Sequence, residues 1–408
     1  MRRLLDQVEA ASPVEAVEVV ADELKALFGA RAVSFLIADF SGRAVFRMGR
    51  ATGNGSGTRF PGAEQVTLAG TVYERVLVTQ QVDVHGTAGG GAQLTIPVTN
   101  RGDAIGLLQL DLPHHPDRSV VADIATAGQA LAYIVVANRR HTDLFEWGQR
   151  SAPFSLAAEI QRRLLPSAFT CEAGQFTLAG WLEPASSVAG DTFDYTLDQH
   201  ALQVSITDAA GHDVAAAILA TVLVGSLRNE RRRGADLGEQ VRNANAALAA
   251  HSPLGQFVTG QVLNIDLVSG AATIVNAGHE LPLRLRDGRV EQVELEIDLP
   301  FGLDPGRSFR VQRFPLEAGD RIVLITDGMV ERAAQHADLS AQLARSVDLH
   351  PRQVVHALGD AVVDATDGNL LDDATVVCLD WYGGSPRPRV STGGANAVPS
   401  SSPLSESR

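Results

Sequence analysis

The N-terminal third of the chain alternates between two hydrophobic periods. In "PVEAVEVVADELKALFG", Val14, Val17, Val20, Leu24 and Leu27 recur at helical spacing and Gly29 ends the run. "AVSFLIADFSGRAVFRMG" then predicts two strands around a Ser-Gly turn, and "QLTIPVTNRGDAIGLLQLDL" a second hairpin turning at Asn100 to Asp103. A long helix follows in "SVVADIATAGQALAYIVVANRR". The connector "HTDLFEWGQRSAPFSLAAEIQRRLLP" carries apolar stripes, with Leu144, Phe145 and Trp147 on one helical piece and Leu156, Ile160 and Leu164 on another, broken at Pro153. From about Pro166 to Tyr382 strands dominate, with helical segments at Val214 to Arg232 and Leu237 to Ala250. The last stretch, "GGSPRPRVSTGGANAVPSSSPLSESR", has almost nothing apolar to bury and predicts disorder.

Composition narrows the class. A chain of 408 residues has room for two or three domains, and 45% hydrophobic with 20% charged residues is ordinary for globular folds. The net charge of -14 excludes a general nucleic-acid-binding surface, which needs a basic face. "RNERRR", Arg228 to Arg233, reads as solvated cations complementing a helix C-terminus. Cys171 and Cys378 have neither CxxC spacing nor a disulfide framework, which suits a reducing compartment. "MRRLLDQVEA" reaches acid before any apolar core, unlike a signal peptide, and the apolar run Val214 to Leu227 is too short to span a bilayer. A cytoplasmic protein without membrane insertion is the expectation. The glycine-rich stretches at 53–57 and 87–92 lack the lysine and helix of a phosphate loop and read as flexible loops.

Chemistry concentrates in the second half. "VLITDGMVERA" and "VSITDAAGHDVAAAILA" each run a strand-like segment into Ile-Thr-Asp, with glycine close behind. Asp208 and Asp327 in these stretches are joined by Asp191 in "VAGDTFDY" and Asp372 in "LLDDATVVCLD". Taken singly, each reads better as a turn or cap residue, and only together do they point to chemistry. Carboxylates converging from different strand ends would repel unless a cation neutralised them, and oxygen ligands without cysteine select Mg²⁺ or Mn²⁺. Two such ions, ~3.5–4 Å apart, suit a phosphohydrolase. His279-Glu280 begins like HExxH, but Leu283 takes the last histidine position and Pro282 breaks the helix. His212-Asp213 sits in a glycine turn without the further spaced histidines of HD-type hydrolases.

The ordered blocks "IQRRLLP", "PASSVAGDTFDY", "DAAGHDVAAAI", "FVTGQVLNID", "VNAGHELPL", "LPFGL", "GDRIVLITDGMVERA" and "DDATVV" resemble the bacterial PPM-type serine/threonine phosphatases. The branch is that of stage II sporulation protein E and the stress-response phosphatases. "LTIPV" and "IGLLQLD" around their turn resemble a GAF sensory domain. These resemblances imply an α+β chain, with a GAF-like domain of antiparallel sheet with helices at 1–140 and a PPM-type α-β-β-α sandwich of two antiparallel sheets at 166–383; the apolar stripes place a helical linker at 141–165, and composition a disordered tail at 384–408. The resemblances imply two Mg²⁺ or Mn²⁺ ions bridged by Asp208, with the Ala209 carbonyl beside it, Asp327 and Asp372 on one ion and Asp191 on the other. A bridging water would be the nucleophile. Asp194, Gly190, Gly211, His212, Gly328 and Asp373 are expected to support these ligands. Ala189 replaces a glycine of the pattern, Asp213 replaces another, and Thr192 stands where an aromatic is common. The implied substrate is a phosphorylated anti-anti-sigma (STAS-type) protein, whose dephosphorylation frees a sigma factor by partner switching. An unidentified signal at the GAF domain and homodimerisation through the GAF and linker helices complete the expectation. A non-catalytic signalling scaffold and a small phosphomonoester substrate are the alternatives.

Overall fold

The computed structural model describes residues 2–40, 42–48, 64–150, 154–185, 190–211, 213–252, 255–330 and 337–397. These divide into two units. One comprises the described residues up to 150 with Val390–Ala397, the other those from 154 to Arg389. The division falls within the stretch 141–165 expected to be a helical linker.

In the first unit, α1 (Arg2–Ala10) and α2 (Ala16–Phe28) precede β1 (Ala32–Ala38), β2 (Ala44–Arg47), β3 (Glu64–Thr67), α3 (Val72–Thr79), β4 (Asp83–Gly86), β5 (Ala92–Asn100), β6 (Asp103–Leu112), α4 (Arg118–Asn138) and α5 (Leu144–Gly148). The strands form one antiparallel sheet in the order β3-β2-β1-β6-β5-β4. Successive side chains of β1 face opposite ways: Phe35 and Ile37 pack with α2 and α4, Leu36 and Ala38 with α3. The hairpin predicted at Asn100 to Asp103 is present. Arg101 and Gly102 both have positive φ, as a two-residue hairpin loop that follows the sheet twist requires. In α2, Val20 and Leu24 are buried while Leu27 is exposed, and Val14, also exposed, precedes the helix, so the predicted apolar stripe is real but narrower than its periodicity. By length and composition α4 could cross a membrane, yet Ile124, Leu131 and Val135 pack into the core of this unit. Residues 53–57 lie outside the described residues, whereas 87–91 form the β4–β5 turn.

In the second unit, α6 (Leu156–Leu164) leads into β7 (Thr170–Glu172), β8 (Phe176–Glu183), β9 (Thr192–Leu197), β10 (Ala201–Ala209), α7 (Asp213–Arg232), α8 (Leu237–His251), β11 (Val258–Asp266), β12 (Ala272–Ala277), β13 (Leu283–Arg286), β14 (Arg289–Gln292), β15 (Gln312–Phe314), β16 (Arg321–Ile325), α9 (Leu339–Arg345), α10 (Pro351–Ala365) and β17 (Ala374–Trp381). Two antiparallel sheets result, β15-β12-β11-β10-β9 and β14-β13-β16-β17-β8-β7. Three buried clusters define four layers. Val204, Ile206, Leu263, Leu324 and Val377 pack between the sheets; Leu223, Val241 and Leu248 pack on Val262 and Val275; Leu343, Val354 and Leu358 pack on Val323 and Val376. Helices thus cover both outer faces.

Two expectations are corrected here. Strand dominance hid α9 and α10, although His350 caps α10, Pro351 occupies its first turn, and Val354, Val355, Leu358 and Val362 form its buried face. Much of the tail expected to be disordered is paired. Arg389 meets the buried Glu172, the Arg387 amide donates to the Gly174 carbonyl, and β18 (Ser391–Thr392) pairs with β19 (Ala395–Asn396). A buried carboxylate needs cations more than it needs apolar neighbours, and composition does not register that. Residues 398–408 lie outside the described residues.

Candidate active site

Strand period places the site. In β10, Leu202, Val204 and Ile206 face the core between the sheets, and in β9 Phe193 does the same. Continuing each alternation by two residues brings Asp208 and Asp191 to that inner side, at the paired ends where Thr207 lies opposite Thr192. In the other sheet Ile322 and Leu324 of β16 and Val377 and Leu379 of β17 face the same core. The same step brings Thr326, Thr375 and Asp373 inward, beyond the Ile325–Val376 pair.

The two sheets meet through hydrogen bonds at this end. Thr326 Oγ1 and Thr375 Oγ1 donate to Asp191 Oδ2 at 2.7 and 2.6 Å, and the Thr375 amide donates to Thr326 Oγ1 at 3.0 Å. Asp373 gathers the loop before β9: its Oδ1 accepts from the Ala185 amide at 2.8 Å and its Oδ2 from the Gly190 amide at 3.2 Å. Asp191 and Asp373 are both buried, Asp372 is half-buried and Asp327 is exposed. Burial, then the Asp208 and Asp373 charges, push the Asp191 carboxyl well above its usual range, while the threonine hydroxyls oppose the shift. Burial likewise raises Asp372, with Asp327 adding repulsion, and raises Asp373.

Charge repulsion thus links Asp191 with Asp208 and Asp373, Asp373 with Asp372, and Asp372 with Asp327. Among the described residues no three His, Cys, Asp or Glu side chains stand close enough to form a closed metal cage. The donor chemistry nevertheless fits a hard divalent cation. It consists of oxygen alone, its most buried carboxylate is repelled by two others, and both side-chain hydrogen bonds to Asp191 fall on Oδ2.

The supporting residues sort differently from expectation. Gly190 is needed for space, since a Cβ there would lie 2.6 Å from the Ala209 carbonyl oxygen. Gly211 has a φ of 107°, which glycine tolerates. Asp213 takes φ 63° at the start of α7, a conformation in which aspartate is tolerated and glycine is free. Asp194 does not serve the site. It accepts from Arg228 Nη2 at 2.8 Å and Arg231 Nη1 at 3.3 Å, which also corrects the reading of "RNERRR" as solvated. His212 and Ala189 lie outside the described residues. Thr326, Thr375 and Gln161, which donates to Asp191 and Asp373, were missed, although the threonines share the inward parity of the aspartates.

His279 is a buried hydrogen-bonding residue. Asn276 Oδ1 accepts from its amide at 2.8 Å, and its Nδ1 lies 2.9 Å from Thr259 Oγ1. Burial lowers its pKa to about 4. Because the folded value is below the unfolded one of about 6.5, the unfolded chain takes up the proton first, and stability falls as pH drops from about 6.5 towards 4. In chemical denaturation, His279→Gln should narrow the stability difference between pH 7 and pH 5 by about 2 kcal/mol. An unchanged difference would show that His279 does not govern acid sensitivity.

Helix-covered twin antiparallel sheets, with carboxylates at one shared end, are the arrangement that the resemblance to PPM-type phosphatases implies. Residues 198–382 match the family model of Stage II sporulation protein E (SpoIIE), so this stretch is a SpoIIE-family domain. The chain is 23% identical over 235 residues to phosphoserine phosphatase RsbU of Bacillus subtilis (strain 168), covering 55% of this chain and 68% of that protein. It is 22% identical over 184 residues to phosphoserine phosphatase RsbP of the same organism, covering 44% of this chain and 45% of that one. Among solved structures, the RsbU and RsbW domains of a Mycobacterium tuberculosis protein align with a TM-score of 0.45 and 25% identity over 53% of this chain and 62% of theirs.

Proposed function

We propose that the chain is a Mg²⁺- or Mn²⁺-dependent phosphatase acting on phosphoserine or phosphothreonine of a regulatory protein. The observation that carries this is the buried Asp191, held by Thr375 of β17 and by Thr326 at the end of β16 in the opposite sheet, where the charges of Asp208 and Asp373 bear on it. Asp191 and Asp208, with the Ala209 carbonyl, would hold one ion, and Asp208, Asp327 and Asp372 the other. Bound ions would neutralise the phosphoryl oxygens and make water a better nucleophile at neutral pH. The chain's own part is positional: the threonines fix Asp191, and Asp373 ties the loop before β9 to the start of β17.

The names of RsbU and RsbP support phosphoserine as the target. An anti-anti-sigma (STAS-type) phosphoprotein, feeding a partner switch that frees a sigma factor, is the substrate this reading assigns. The first unit acts in it as a GAF-type sensor, the setting is cytoplasmic, and the chain pairs as a homodimer through apolar positions such as Tyr133 and Val136 on α4, which are exposed. Hydrolysis of p-nitrophenyl phosphate by the full chain should need added Mn²⁺ or Mg²⁺, stop on chelation and resume on re-addition. A folded chain inactive with both metals would remove the enzymatic reading.

A further inference from the structure

We propose that Gln161 is a positioning residue of the site, one side-chain amide on α6 holding both halves of the carboxylate cluster in register. Its Nε2 donates to the Asp191 carbonyl at 2.8 Å and to Asp373 Oδ2 at 2.6 Å. Gln161 is only 3% exposed, and a buried amide without partners costs free energy, so these two acceptors are what this position offers a glutamine. Asp373 also receives the Ala185, Gly190 and Asp191 amides; Gln161 is its side-chain donor among the described residues.

α6 itself is fixed independently of that contact. Ser155 caps its start, Ala157 and Ile160 pack with Val214 and Ala217 of α7, and Leu164 enters the core beneath α7 and α8. Arg228, which holds Asp194, also donates to the Leu164 carbonyl. Packing therefore sets where the helix lies, and Gln161 conveys that position to Asp191 and Asp373. Hydrogen-bonding partners of metal-binding carboxylates orient them in this way.

The consequence for metal rests on the phosphatase reading, so the test has one readout with metal and one without. In the full chain, Gln161→Met keeps length and helix propensity but removes both donors, and Gln161→Glu keeps shape while facing Asp373 with like charge. Calorimetric titration with Mn²⁺ alone should show affinity weakened by about 10–100-fold in both. In the metal-free proteins, amide exchange at residues 190–192 should accelerate relative to wild type, while α7 and α8 stay protected. Folded variants with wild-type Mn²⁺ affinity and wild-type exchange at 190–192 overturn the proposal. If the wild-type chain itself takes up no Mn²⁺, the phosphatase reading falls, and exchange alone decides: acceleration sustains the positioning role and its absence ends it.

Discussion

Asp208→Asn and Asp191→Asn are each expected to lower metal-dependent hydrolysis by about three orders of magnitude while leaving the metal-free protein at least as stable as wild type. The first half follows from the several kcal/mol that metal coordination contributes to transition-state charge stabilisation in such sites. The second half follows from the electrostatics. Asp191 is buried, and after burial itself the Asp208 charge is the largest cause of its raised pKa. Asparagine at 208 removes that repulsion and retains volume, so the cluster relaxes when no cation is present. Rising thermal stability with collapsing activity separates a functional carboxylate from a structural one, whose loss would lower both. The measurement pairs thermal unfolding in chelator with p-nitrophenyl phosphate hydrolysis in Mn²⁺. If Asp208→Asn stays active, or if it unfolds earlier in chelator, the assignment of Asp208 to the site is wrong.

Much of this arrangement was legible in the chain because strand period is a strict constraint. Ile-Thr-Asp occurs twice, and each occurrence ends a strand whose alternate residues face the inter-sheet core. The aspartates were legible as chemistry; the threonines beside them were passed over because a hydroxyl has no motif of its own. Thr326 and Thr375 could still have been found by counting parity from Leu324 and Val377. Asp194 shows the opposite failure. It lies three residues from Asp191 and reads like a partner, but it sits within β9 on the face opposite Phe193, where Arg228 and Arg231 of α7 reach it. Nothing in the local sequence tells an aspartate which helix will cross its strand. α10 was missed for another reason: its buried face was legible, but neighbouring strand-like runs outweighed it until the His350 cap and Pro351 were in view.

Gly328→Ala should destabilise the protein by about 1–3 kcal/mol and weaken metal-dependent activity with it, because the site lacks room for one methyl group. A Cβ at this position would lie 2.1 Å from the Asp373 carbonyl oxygen and 2.9 Å from its carbonyl carbon. Both atoms are backbone, so no side chain can swing aside. Gly328 is not among the positive-φ residues, so its backbone does not itself demand glycine. Two accounts of the Asp-Gly pair therefore part in sign. If Gly328 merely eases the turn after β16, alanine reduces unfolded-state entropy and leaves stability equal or slightly higher. If glycine is there so that the turn carrying Asp327 can lie against the backbone of Asp373, alanine pushes the two apart. Asp373 carries the Ala185 and Gly190 amides, so that displacement would reach the loop that presents Asp191. Denaturant midpoints of the two proteins, read beside their Mn²⁺ dependence, decide between the accounts. A variant as stable as wild type would return Gly328 to the role of an ordinary turn residue.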